Sequence, residues 1–180
     1  YIDITQYRRL FAIDYSGSVQ GVQQYHDELR SLFNSMYKST DTIMTWSSNA
    51  YVVSFSTMQD IYTNRRGTDG TAPSSILREL IRNPSIPREH LVLVTDGHIN
   101  SGDINYCDQI IRSNNIAFKY VTTYVIGSGG DLSVGAPFSR SCGSETIEIN
   151  GSSRRVIKGA KTEDLSALDS IDSIKSISTF

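Results

Sequence analysis

Two apolar runs, Leu10-Phe11-Ala12-Ile13 and Leu91-Val92-Leu93-Val94, each lead directly into an aspartate-bearing turn, and this repeat constrains the fold more than any other feature of the chain. A strand without polar alternation needs cover on both faces, which a central strand in a sheet flanked by helices has. The first run ends in Asp14-Tyr15-Ser16-Gly17-Ser18. Val22, Tyr25, Leu29, Leu32, Phe33 and Met36 then fall at three- and four-residue steps, predicting a helix over residues 19 to about 37. The second run ends in Thr95-Asp96-Gly97, and Ile104, Cys107, Ile110 and Ile111 predict a helix over about 103–113.

Between these units, residues 42–46 and 50–55 read as a hairpin around Ser47-Ser48-Asn49, which puts one antiparallel strand in the sheet. A polar loop from Asn64 to Thr71 feeds a short helix that starts near Pro73 and carries Ile76, Leu77, Leu80 and Ile81. Further on, 118–126 reads as a strand closed by Gly127-Ser128-Gly129-Gly130, 131–143 as a short irregular helix broken by Pro137, and 146–149 as an edge strand. Thr162 caps a closing helix whose inward stripe is Leu165, Leu168, Ile171 and Ile174. The expected fold is α/β: a mostly parallel central sheet with one antiparallel edge strand and helices on both faces, in a single domain spanning 1–180.

The charge balance excludes several classes. Lys and Arg total 17 against 19 Asp and Glu, and the bases occur as scattered pairs such as Arg8-Arg9, so there is no basic stripe for nucleic acid. No apolar run is long enough for membrane insertion. Cys107 and Cys142 have neither CxxC nor His spacing, which argues against a zinc site or a disulfide scaffold and mildly favours a reducing, cytoplasmic setting. The chain opens on Tyr1 rather than Met and reads as an excised domain, which leaves a secreted or surface location open. Only there would the sequon Asn150-Gly151-Ser152 carry meaning.

Three loops at strand ends carry Asp14, Ser16 and Ser18, then Thr68 or Thr71, then Asp96. A Ser/Gly/Asp cluster between strand and helix is most often a turn with an N-cap, and it is the second strand-terminal aspartate that lifts the first above that reading. All these side chains are hard oxygen ligands, suited to Mg²⁺ or Mn²⁺. Two carboxylates would balance a divalent ion, while the hydroxyls add ligands without charge and leave the ion electrophilic. The partner such an ion attracts is another protein presenting Asp or Glu.

Asp14-Tyr15-Ser16-Gly17-Ser18, Gly67-Thr68-Asp69-Gly70-Thr71 and Val94-Thr95-Asp96-Gly97 resemble, in order and spacing, the metal-ion-dependent adhesion site (MIDAS) of von Willebrand factor type A (VWA) domains. The likeness runs from Leu10 to about Ile174. It implies a three-layer Rossmann-like sandwich with Mg²⁺ or Mn²⁺ at the carboxyl edge, held by Ser16, Ser18 and Thr68, with Asp14 and Asp96 binding directly or through water. It also implies a protein-binding domain rather than an enzyme, with no catalytic residue. Two alternatives remain: a Mg²⁺-dependent phosphate-processing hydrolase with Asp14 as nucleophile, and a scaffold domain that does not use the metal. Against the first, Ser16 stands where such enzymes want a second acid. His98 reads as a solvated loop residue near the site, and His26 and His90 as structural.

Overall fold

The computed structural model describes residues 3–159. Seven strands form one sheet: β1 (Arg9–Asp14), β2 (Thr42–Trp46), β3 (Ala50–Val53), β4 (His90–Thr95), β5 (Tyr120–Ile126), β6 (Gly143–Asn150) and β7 (Ser153–Gly159), in spatial order β3-β2-β1-β4-β5-β6-β7. The five inner strands are mutually parallel, and β3 and β7 run antiparallel at opposite edges. The mostly parallel α/β sheet thus holds as expected, with a second antiparallel edge strand added. Its signal is the two-residue turn Gly151-Ser152: Gly151 has φ +63°, the positive φ that a hairpin turn with glycine at its first central position requires.

Helices α1 (Gln23–Met36), α2 (Phe55–Thr63), α3 (Ser74–Arg82) and α4 (Ser101–Asn114) cover the sheet. Alternate residues of the central strands feed two cores. Phe11, Ile13, Val92 and Val94 meet Tyr25, Leu29 and Phe33 of α1 and Met58 and Ile61 of α2. Leu10, Ala12, Leu91 and Leu93 meet Ile76, Leu77 and Leu80 of α3 and Cys107 and Ile110 of α4. Each fully buried large side chain contributes roughly 1.5–3 kcal/mol by leaving water. This accounts for the unbroken apolar runs, since every residue of β4 is buried.

Local details differ from the sequence reading. Residues 17–19 form a short 3₁₀ turn and α1 starts only at Gln23, because Gly21 at φ +71° breaks the run. Strand β3 ends at Val53 rather than Phe55; the Ser54 side chain accepts from the Thr57 N–H and starts α2, an element without an expectation from sequence. Residues 131–142 form successive turns rather than a helix. The expected closing helix from Thr162 lies outside the described residues. Cys107 and Cys142 are buried and not in a disulfide.

His90 opens β4 in a buried position, with Nε2 2.8 Å from the Thr122 hydroxyl and its ring edge-on to Tyr120. Burial pushes its pKa down to about 4. The unfolded chain protonates near the ordinary histidine value and the folded chain only near the lower one, so stability is present at neutral pH and lost as pH falls through this interval. Replacing His90→Gln should flatten that acid limb by roughly 2 kcal/mol, read as the pH dependence of urea unfolding between pH about 7 and 4.

Candidate metal centre

In the sheet order, the chain leaves β1 for β2 on one side and reaches β5 from β4 on the other, so β1 and β4 flank the topological switch point. In open α/β sheets the crevice outside the carboxyl ends at that point is where ligands bind. The β1–β4 register pairs Ile13 with Val94, which places Asp14 and the Thr95-Asp96-Gly97 turn side by side.

Asp14 is held by both neighbours. Its Oδ1 accepts from the Ser16 N–H at 2.9 Å, and its Oδ2 accepts from the Thr95 hydroxyl at 2.7 Å. Thr95 in turn accepts from the Gly97 N–H at 3.0 Å, so one buried hydroxyl joins the two loops. Asp96 accepts from the His98 N–H at 3.1 Å, fixing its turn. Burial, reinforced by the Asp96 charge and opposed by the Ser16 and Thr95 hydrogen bonds, pushes the Asp14 carboxyl up to about 6. Among the described residues no Lys, Arg or His side chain pairs with either carboxylate.

The hydroxyl side chains sit beside these acids. Ser16 is buried and Ser18 exposed, with their Oγ atoms 2.9 Å apart. The two hydroxyls share a hydrogen bond, and its length is also close to the separation of about 3 Å between neighbouring oxygens of an octahedral ion with ligands at about 2.1 Å. The second loop docks by its backbone: the Thr68 N–H donates to the Tyr15 carbonyl at 2.8 Å, and the Gly17 N–H to the Asp69 carbonyl at 2.9 Å. Thr68 therefore lies against the first loop. The Thr71 flank is tied instead to the β2–β3 turn, through Gly70 N–H to Ser48 Oγ and Ala72 N–H to the Ser47 carbonyl. Asp69 is exposed, in the left-handed conformation at φ +63°. Gly67 is required for this closeness, because a Cβ there would lie 2.4 Å from the Ser16 carbonyl.

The Gly-rich loop after β5 closes the other side. Asp131 N–H donates to the Gly97 carbonyl at 2.9 Å, and a Cβ on Gly130 would stand 2.5 Å from the Asp96 carbonyl. His98 is exposed, as expected. His26, read as structural, is buried, with Nε2 2.9 Å from the Val19 carbonyl. Sequence reasoning also passed over Thr95 as a partner of Asp14, although its place beside a strand-terminal aspartate was a usable signal.

No protein-family model and no curated protein matches the sequence. Among solved structures, the chain is similar to an aerotolerance-related membrane protein of Bacteroides fragilis NCTC 9343, with 15% identity, 88% of this chain and 84% of that one covered, and a TM-score of 0.43. It is also similar to BatB of Bacteroides thetaiotaomicron, with 14% identity, coverage of 88% and 82%, and a TM-score of 0.43. A third likeness is to proximal thread matrix protein 1 of the mussel byssus, with 14% identity, 93% of this chain but 45% of that one, and a TM-score of 0.47. The architecture is read from the chain's own strand order.

The raised Asp14 pKa has a definite sign. The folded state binds this proton more tightly than the unfolded chain does, so the contribution to stability is full at low pH and lost as pH rises through about 6. In chelator, Asp14→Asn should therefore gain on wild type by roughly 1–3 kcal/mol between pH about 4.5 and 7.5, measured by urea unfolding of both proteins.

Proposed function

We propose that this chain is a metal-dependent protein-interaction domain of the VWA kind, in which Asp14, Ser16, Ser18, Thr68 and Asp96 hold Mg²⁺ or Mn²⁺ and the ion receives an Asp or Glu side chain of a partner protein. One observation carries the reading: two carboxylates share the switch-point crevice without a basic side chain between them, beside paired serine hydroxyls. Two buried like charges cost several kcal/mol unless a cation compensates them. The donor set fits a hard ion on composition as well, being all oxygen. When bound, such an ion supplies a Lewis-acidic position for an outside carboxylate. The residues themselves orient it: Thr95 and the Ser16 N–H fix the Asp14 carboxyl, and the Tyr15 and Asp69 carbonyls fix the second loop.

An enzymatic role for Asp14 has less support. Both of its oxygens already accept protein hydrogen bonds, an arrangement that holds a carboxylate rather than presenting it for attack. A reducing, cytoplasmic setting goes with the reading through the two buried cysteines, neither in a disulfide. Among the described residues no helix is long and apolar enough to cross a membrane.

Mn²⁺ titration followed by electron paramagnetic resonance, with Mg²⁺ competition, tests the ion. Wild type should bind and Asp14→Ala and Ser16→Ala should lose about tenfold or more in affinity. The partner chemistry is read on paired peptide arrays bearing Glu or Gln at each position. Binding should favour Glu and vanish in chelator; equal binding by all variants with and without chelator would sink the metal bridge. Mg²⁺-dependent phosphatase turnover abolished in Asp14→Asn would reverse the ranking in favour of an enzyme.

A further inference from the structure

Adjacent side chains at the start of α1 reach back onto the metal loop. The Tyr25 hydroxyl donates to the Asp14 backbone carbonyl at 2.6 Å, and His26 Nε2 lies 2.9 Å from the Val19 carbonyl. A carbonyl only accepts, so Nε2 carries the proton and the buried Nδ1, which has no partner, is the bare nitrogen. Both residues are almost fully buried, and their rings meet edge to face with centroids 5.2 Å apart. Ser16 and Ser18 lie between the two anchored carbonyls, and neither the Ser16 nor the Val22 side chain caps its helical turn. Bonds from outside the loop thus add to those within it, Ser16 N–H to Asp14 Oδ1 and Val19 N–H to the Ser16 carbonyl.

We infer that Tyr25 and His26 are positioning residues that clamp the Asp14–Val19 loop at both ends and hold the Ser16 and Ser18 hydroxyls at a spacing suited to a small octahedral cation. The inference rests on the metal reading above and adds to it the two residues that hold the loop in shape for such an ion. Mg²⁺ wants ligands at about 2.1 Å, hence neighbouring oxygens about 3 Å apart, whereas Ca²⁺ at about 2.4 Å wants them wider and tolerates irregular shells. The Ser16 and Ser18 hydroxyls, hydrogen-bonded at 2.9 Å, start closer to the shorter edge, so a loop held in this shape would favour the smaller ion and a loosened loop would admit the larger.

Tyr25→Phe removes one hydroxyl and preserves the ring packing; His26→Phe removes the second bond. Thr122→Val, which deletes the buried partner of His90 on β5, serves as a control for the general cost of losing a core hydrogen bond. Isothermal titration with Mg²⁺ and with Ca²⁺, together with amide exchange of Ser16 and Ser18 in chelator, gives the readouts. Tyr25→Phe should weaken Mg²⁺ about tenfold while changing Ca²⁺ less than about threefold. Exchange at both serines should quicken, and His26→Phe should move the same way. Thr122→Val should lower Tm without altering the Mg²⁺/Ca²⁺ ratio. An unchanged ratio in both α1 variants, with wild type binding Mg²⁺, would overturn the clamp alone; wild type that binds no Mg²⁺ would overturn the metal reading and the clamp with it.

Discussion

The parallel pairing of β1 with β4 is the constraint on which everything else rests. It joins segments some eighty residues apart and leaves both strands inside the sheet, so each must be apolar on both faces. It also determines where the chain becomes polar. Ile13 opposite Val94 is the last apolar pair, and both strands then end in a turn whose aspartate is itself buried. The Thr95 hydroxyl converts this proximity into a bond, linking the Asp14 carboxylate to the Gly97 N–H.

The electrostatics follow from that geometry. A strand-end aspartate at the surface would be solvated and ordinary; Asp14 is buried beneath its own loop, and Asp96 adds a second negative charge. The hydrogen bonds from Ser16 and Thr95 offset only part of the desolvation. In the metal reading proposed above, a cation in this site would offset the imbalance, and folding stability would be linked to cation affinity. Local strain follows the same logic: Asp69 in a left-handed conformation and the tight approach of Gly67 to Ser16 bring the second loop against the first.

Sequence patterning carried the sheet and the three loops because burial on both faces and strand-terminal aspartates leave visible runs. It carried little of what ties the loops together. Thr95, Tyr25 and His26 read as ordinary strand and helix residues; their roles depend on which carbonyl or carboxylate stands opposite, which is set by contacts between elements. His26 is the clearest case, a polar residue off the apolar stripe that is nonetheless buried because the 3₁₀ turn folds Val19 over it. Strand β7 was missed because its residues are exposed and alternate no apolar face toward a core; only its Gly151-Ser152 turn marked it. The flanks of Thr68 and Thr71 dock differently, Thr68 N–H on the Tyr15 carbonyl and Ala72 N–H on the Ser47 carbonyl, which spacing alone does not encode.

The two antiparallel edges have a consequence for solution behaviour. A sheet that ended in long, flat parallel strands would expose a backbone template for pairing with other chains. Here one boundary is only four residues long, and the other carries Arg154, Arg155 and Lys158, each engaged with an acidic neighbour. Docking a foreign strand on β7 would crowd or strip the water from these ion pairs, so the charged border acts as a gatekeeper against lateral polymerisation of the domain.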